Sequence, residues 1–295
     1  MRSPRGRMEV KKKVAIVCKN GLLESVIMSQ LTEAQKYLLT HQYHNASNLN
    51  ARIYLNDRFS TNPQHWQRWV FDQFHIAPHS RILELGCGSA ALWLQNRERI
   101  PENWHITLSD FSQGMLQEAQ QNLKEMELPF TFQHIDIQEI PFEDETFDAV
   151  IANYVLHHVP DRDKALAEVR RVLKPGGRFY AASMGRGDKH ELDELVLKFK
   201  PDADIALPAD SFFLENGVGE LARWFPQVTL HRYHDELAVT EVAPLIAYVL
   251  SLNITGSLVS EEQLAQFGRV VEQEIATKGA FRITKDSGIF EVMKG

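Results

Sequence analysis

The sequence predicts an α/β fold: a mostly parallel sheet with helices on both faces. Two observations lead there. Short apolar runs recur at roughly 20–30 residue spacing between residues 81 and 182, and helical patterns fill most of the gaps between them. The gaps mostly supply the dozen or more residues that a crossover between parallel strands needs.

The elements follow in chain order. Apolar repeats at intervals of three and four through Leu31, Ala34 and Leu38, then through Ala51, Leu55 and Phe59, predict two N-terminal helices. "STNP" puts Ser60 and Thr61 where a cap belongs and Pro63 early in a third helix, "HWQRWVFDQF". Strands are expected at "RILEL" (81–85), "HITLS" (105–109), "FTFQHI" (130–135), "FDAVIA" (147–152) and "GRFYAA" (177–182). Ser112 is placed to cap a helix that buries Met115, Leu116, Ala119 and Leu123. Asp161 is placed to cap another that buries Leu166, Val169 and Leu173 and is stopped by "KPGG". Beyond residue 183, "HELDELVLKF", "GVGELARWF", "EVAPLIAYVLSL" and "EEQLAQFGRVVEQEIATKG" read as helices, the last closed by Gly279. "QVTLHRY" and "GIFEVMK" read as strands. The expected organisation is a flexible basic extension (1–28), an N-terminal helical cap (29–75) and a main domain (76–295), with helical lid insertions at about 187–225 and 235–280.

Ligands of open parallel sheets bind outside the carboxyl ends of the strands, so the residues just past each run carry the chemistry. After the first run come Gly86, Cys87 and Gly88, which let the chain turn sharply and let a ligand approach the backbone. With Ala91 they match G-x-G-x-x-A, a dinucleotide fingerprint that also suits a bare strand-to-helix turn. After the second run, Asp110 is placed to accept from two ribose hydroxyls, or to cap the next helix. After the third, Asp136 can accept from an exocyclic amine such as that of adenine. After the fourth come Asn153, Tyr154, His157 and His158. Two acids suit a nucleoside. Glu84, two residues before the glycines, repels a pyrophosphate and favours a ligand with an ammonium or sulfonium.

"ILELGCGSA", "LSDFSQGML", "HIDIQEIPFEDETFDAVIANYVLHHV" and "RVLKPGGRF" resemble successive motifs of class I S-adenosylmethionine-dependent methyltransferases, nearest the group that includes the ubiquinone and menaquinone biosynthesis enzymes. The resemblance covers about residues 75 to 185. It implies a Rossmann-like sheet of seven strands, with the last inserted antiparallel between the fifth and sixth. It implies S-adenosyl-L-methionine as cofactor and S-adenosyl-L-homocysteine as product. Gly86 and Gly88 would line the methionine part, with Cys87 between them and Glu84 near the ammonium group. Asp110 would hold the ribose, and Phe111 and Met115 would pack on adenine. Asp136 would bind the adenine amine, with the Ile137 N–H on a ring nitrogen. Asn153 and Tyr154 would border the methionine and the transferred methyl.

Methyl transfer is an in-line displacement, so the protein mainly aligns the nucleophile and excludes water. His157 and His158 are candidate general bases, because neutral imidazole accepts protons near pH 7. Tyr43, Tyr54 and His158 are candidate contacts to the methyl acceptor. The apolar cap and insertions point to a small, partly apolar acceptor in a dry pocket, methylated on O, N or C. A net charge of -7 argues against nucleic acid as partner. "ANYVLHH" also lacks the Asn/Asp-Pro-Pro-aromatic stretch seen in nucleic-acid amine methylases. The two cysteines, Cys18 and Cys87, make no disulfide framework or zinc set, so no metal and a reducing cytoplasm are expected. No apolar run approaches the ~20 residues of a membrane span, and a monomer or homodimer is expected. The competing readings are a catalytically silent S-adenosylmethionine-binding sensor or partner subunit, an RNA or protein methyltransferase, and an NAD-dependent oxidoreductase.

Overall fold

The structure, a computed structural model, describes residues 31–203, 205, 207–252 and 260–295. The expected extension (1–28) lies outside the described residues, as do positions 204, 206 and 253–259 of the expected lid insertions. The described residues fall into two units, divided between residues 41 and 42. In the first, α1 (Glu33–Tyr37) is opened by Thr32, whose hydroxyl accepts from the Gln35 N–H while Gln35 Oε1 accepts from the Thr32 N–H. A π-helical turn, Leu38–Gln42, follows it.

The second unit holds a sheet of seven strands in the order β3-β2-β1-β4-β5-β7-β6. They are β1 (Arg81–Leu85), β2 (His105–Asp110), β3 (Thr131–His134), β4 (Phe147–Asn153), β5 (Leu173–Met184), β6 (Gln227–Val239) and β7 (Phe281–Met293). The first five run parallel, and β7 lies antiparallel between β5 and β6, as expected. Alternation along β1 sends Leu83 and Leu85 to one face and Ile82 to the other. The first face packs on α6 (Arg162–Val172) and α8 (Leu214–Leu221). The second packs on α3 (Trp66–Asp72), α4 (Ala91–Gln95) and α5 (Gln113–Leu123). Both expected caps form: Ser112 accepts from the Met115 N–H, and Asp161 from the Lys164 N–H.

One expected cap does not form. Helix α3 starts at Trp66, and His65 Nδ1 accepts from the Gln67 N–H. Ser60 and Thr61 serve the edge of β6 instead. The Ser60 hydroxyl donates to Asp235, and the Thr61 N–H donates to the Glu236 carbonyl at 2.9 Å. The Thr61 N–H also donates to Asp235 Oδ1 at 3.1 Å, so Asp235 holds both residues at the sheet edge, away from the start of the helix.

Both late strands are longer than their apolar patterns. The last rung between β5 and β7 is Met184 with Ser287, so residues 281–286 continue past the carboxyl end of the parallel strands. They pair there with residues 234–239 of β6. Asp235 faces Lys285, and Glu236 forms an ion pair with Arg282. These cross-strand charges hide the strand pattern while supporting the pairing. The projecting ribbon has its own apolar core. Leu237, Phe281 and Ile283 meet Leu55 and Phe59 of α2 (Ser47–Phe59) and Leu192 and Val196 of α7 (His190–Phe199). Leu245 of α9 (Val242–Ser251) and Phe267 of α10 (Glu261–Lys278) complete it. This assembly stands over the strand ends. Helix α8, inside the first expected insertion, packs on the sheet face instead.

Gly217 of α8 shows how close that packing is. A Cβ there would lie 2.4 Å from Phe290 Cζ and 2.9 Å from Phe212 Cζ. Gly217→Ala should therefore destabilise by about 1–3 kcal/mol despite the better helix propensity of alanine. Urea unfolding checks this; an unchanged midpoint would mean that the rings move aside freely.

Candidate active site

The carboxyl ends of β1, β2 and β4 are tied into one loop cluster. Beyond Leu85, Gly86 and Gly88 take φ values of 70° and 55°, and a Gly86 Cβ would lie 2.4 Å from Val155 Cγ2. Both left-handed backbone and lack of space therefore require glycine at position 86. The Cys87 N–H donates to the Ser109 carbonyl at 2.8 Å, and the Gly88 N–H donates to Asp110 Oδ2 at 2.9 Å. The Ser112 N–H donates to Asp110 Oδ1 at 2.8 Å. Burial pushes Asp110 up, against the pull of these two N–H groups. A carboxylate offers about four acceptor positions, so two remain for hydroxyl groups.

Glu84 is 2% exposed and points to the face that carries α4, where its Oε2 accepts from Trp93 Nε1 at 2.5 Å. Burial raises it to about 7; the indole N–H opposes the rise and Asp110 adds to it. Burial pushes the Cys87 thiol well up, with Glu84 and Asp110 acting in the same direction. That thiol is a small core group rather than a nucleophile.

Residues 43–49 reach this cluster. Ser112 Oγ donates to the Tyr43 carbonyl at 2.7 Å, and a Gly114 Cβ would lie 2.2 Å from the His44 carbonyl oxygen. Leu49 covers Gly88, 3.0 Å from where its Cβ would stand. Tyr43 Oη lies 3.0 Å from His158 Nε2. His157 and His158 share the 3-10 turn Leu156–His158, with ring centroids 3.9 Å apart. Burial drives His157 well below its usual range, helped by His158 and Arg52. Burial and Arg52 bring His158 to about 4, so both rings are neutral at pH 7.

Other expected residues stand as follows. Met115 is buried in α5. Phe111 stacks on His134 at 6.0 Å. Both oxygens of Asp136 accept from Gln138 Nε2 at 3.1 Å, in the manner of an exocyclic amine. Ile137 is buried. Asn153 ends β4, and its Oδ1 is buried with no partner. Tyr154 takes φ 56° and packs its ring against Trp66 at 5.6 Å; burial raises it to about 12. Tyr54 is 52% exposed, so α2 turns it to solvent and brings Leu49 to the loop.

Sequence reasoning missed Trp93, Arg52 and the group around Tyr248. Arg52 left a signal: it stands three residues before Leu55 and seven before Phe59, a charge on an apolar stripe. Asp188 is held by Lys285 at 2.8 Å and by Lys189. Burial would raise Asp188, but the two lysines outweigh it and hold it at about 2. Tyr248, raised by burial to about 12, feels Asp188, Lys285 and Arg52.

Glu84 sets a pH dependence. Its folded value lies above the ordinary 4.5, so the protonated form is favoured in the fold. Its contribution is complete below about pH 4.5 and is lost as pH rises through about 7. The loss amounts to about 3 kcal/mol. Glu84→Gln should remove this loss and gain on the wild type between pH 5 and 8 in urea unfolding. Parallel pH curves for the two proteins would contradict it.

Residues 83–181 match the family described as a methyltransferase domain. The ubiquinone/menaquinone biosynthesis C-methyltransferase of Vibrio cholerae is 31% identical over 132 residues, 44% of this chain and 51% of the relative. The chain thus spans about half the length of the curated relatives it matches. The YcgJ protein of Bacillus subtilis superposes with a TM-score of 0.53 at 17% identity, over 77% of this chain and 97% of that one. Phosphoethanolamine N-methyltransferase 2 of Haemonchus contortus, solved with S-adenosyl-L-methionine, gives 0.55 at 18% identity, over 90% of this chain and 60% of that one. At those identities the structures speak for the fold. Residues 83–181 are thus similar to a methyltransferase domain, and the fold agrees with that of the solved structures.

Proposed function

We propose that this protein transfers a methyl group from S-adenosyl-L-methionine to a small, partly apolar acceptor. The observation that carries the reading is Glu84, a carboxylate buried beside the glycine turn with an indole N–H as its partner and no cation. An ionised carboxylate in that position is costly, and a cationic ligand relieves the cost. The neighbouring strand-end residues fit the same ligand. Asp110 keeps acceptor positions for ribose hydroxyls, and Asn153 Oδ1 has no partner. When bound, S-adenosyl-L-methionine supplies an electrophilic methyl on a positively charged sulfur and leaves as S-adenosyl-L-homocysteine. Gln138 must release Asp136 before that carboxylate can take an adenine amine, and Leu49 must lift from Gly88.

The acceptor lies under the ribbon and helices that cover the strand ends. Their apolar core excludes water, which supports an acceptor with apolar surface. His158 is neutral but a weak base, so it orients the Tyr43 hydroxyl rather than collecting a proton. The acceptor then has to arrive as a competent nucleophile. The names of the curated relatives make carbon methylation the first chemistry to test.

Calorimetric titration with S-adenosylhomocysteine and NADH tests the reading: the first should bind and the second should not. Asp110→Ala should weaken S-adenosylhomocysteine by about ten- to a hundredfold with the melting transition retained. His158→Ala and Tyr43→Phe should leave that affinity within about twofold and slow labelled methyl transfer, since neither side chain holds the cofactor. Normal affinity in Asp110→Ala would remove the ribose assignment.

A further inference from the structure

Arg52 extends the apolar stripe of α2 towards the strand ends and is half-buried there. Its Nε donates to Ser251 Oγ at 3.1 Å, and its Nη2 donates to the Ser251 carbonyl at 2.5 Å and to Gln42 Oε1 at 2.6 Å. All three partners are neutral. Among the described residues, no carboxylate forms an ion pair with Arg52. The other cations at this edge differ, because Lys189 and Lys285 share Asp188. A half-buried guanidinium without a counter-charge bears part of the cost of leaving water, and neutral acceptors offset only some of it.

The charge acts on Tyr43, His157, His158 and Tyr248. The carboxylates that face the same groups are committed elsewhere or wet. Asp110, which acts on Tyr43, holds the N–H groups of Gly88 and Ser112. Asp188, which acts on Tyr248, holds the two lysines, and Asp193 is partly in solvent. The same strand ends carry two buried atoms with no partner, Asn153 Oδ1 and His157 Nδ1. This wall therefore has polar atoms to spare and a positive charge, Arg52, that has no ion-pair partner among the described residues.

We infer that Arg52 binds an anionic oxygen of the methyl acceptor, so that the acceptor is a small acid carrying a carboxylate or a phosphate. The inference rests on the methyl-transfer reading and narrows its substrate class. A cationic amine acceptor would meet like-charge repulsion at this wall, whereas an acid completes the missing ion pair. The Tyr43–His158 pair, one neutral hydroxyl and one neutral ring, is suited to orient such an acid without adding charge.

The test is calorimetry on the full chain saturated with S-adenosylhomocysteine, titrated with two matched pairs: benzoate against benzamide, and phenyl phosphate against phenol. In at least one pair the acid should bind about ten- to a hundredfold more tightly than its neutral partner, the range for a hydrogen bond to a charged group. The pair that shows the preference tells carboxylate from phosphate. Arg52→Gln should abolish the preference and Arg52→Lys should keep part of it, both with S-adenosylhomocysteine affinity unchanged. If Arg52→Gln unfolds, Arg52→Lys carries the test: a reduced preference supports the inference and an undiminished one overturns it. Absence of any acid preference in both pairs, or its persistence in Arg52→Gln, also overturns the inference and leaves methyl transfer standing. Failure of the wild type to bind S-adenosylhomocysteine overturns the methyl-transfer reading, and this inference with it.

Discussion

Much of the site depends on one buried carboxylate. Glu84 sits inside a strand whose other inward side chains are apolar, and its pairing with Leu108 and Ile151 leaves it no water. The indole of Trp93 is the donor that meets it. That bond ties β1 to α4 and so shapes the turn between them, where Gly86, Gly88 and Ala90 all take positive φ. A chain built for stability alone would place an apolar residue here, since a buried ion rarely stabilises a fold. The strained turn and the unrelieved carboxylate lie together, as expected where function sets the geometry.

The charge pattern continues across the carboxyl edge of the sheet. Asp110 spends one acceptor position on each oxygen to lock the glycine turn to the start of α5. Farther along, Asp188 and two lysines join the end of β5 to β7 in a buried network that satisfies its own charges. Between these regions lie neutral histidines and phenols, with Arg52 the cation that meets no carboxylate among the described residues. The apolar core above keeps water away and so strengthens each of these interactions. The same ribbon that supports this core is an extension of β6 and β7, so the cover and the sheet share their backbone hydrogen bonds.

The sheet was legible because its central strands are buried on both faces and read as apolar runs; β1 matches its expected bounds, Ser112 and Asp161 open helices, and Gly279 closes one, where their chemistry suggests. The antiparallel seventh strand came from the family resemblance. The projecting halves of β6 and β7 were not legible, because Asp235, Glu236, Arg282 and Lys285 break the alternation and find their partners only across the ribbon. Ser60 misled for the same reason: its partner, Asp235, is distant in sequence. The glycines, Glu84 and Asp110 were readable from their order at the strand ends. Trp93 and Arg52 were not, since an indole that serves a carboxylate and an arginine on an apolar stripe look like packing until the neighbours are in place.

The central claim is that Glu84 meets a cation when the site fills. Near pH 7 the carboxyl is part protonated, so a cationic ligand must displace that proton. Calorimetric titration with S-adenosyl-L-methionine at pH 6, 7 and 8, in buffers of different ionisation heat, reads the proton directly. The account predicts release of part of a proton on binding, with the release gone and the affinity reduced in Glu84→Gln. Binding without proton release, at equal affinity in the variant, would contradict it.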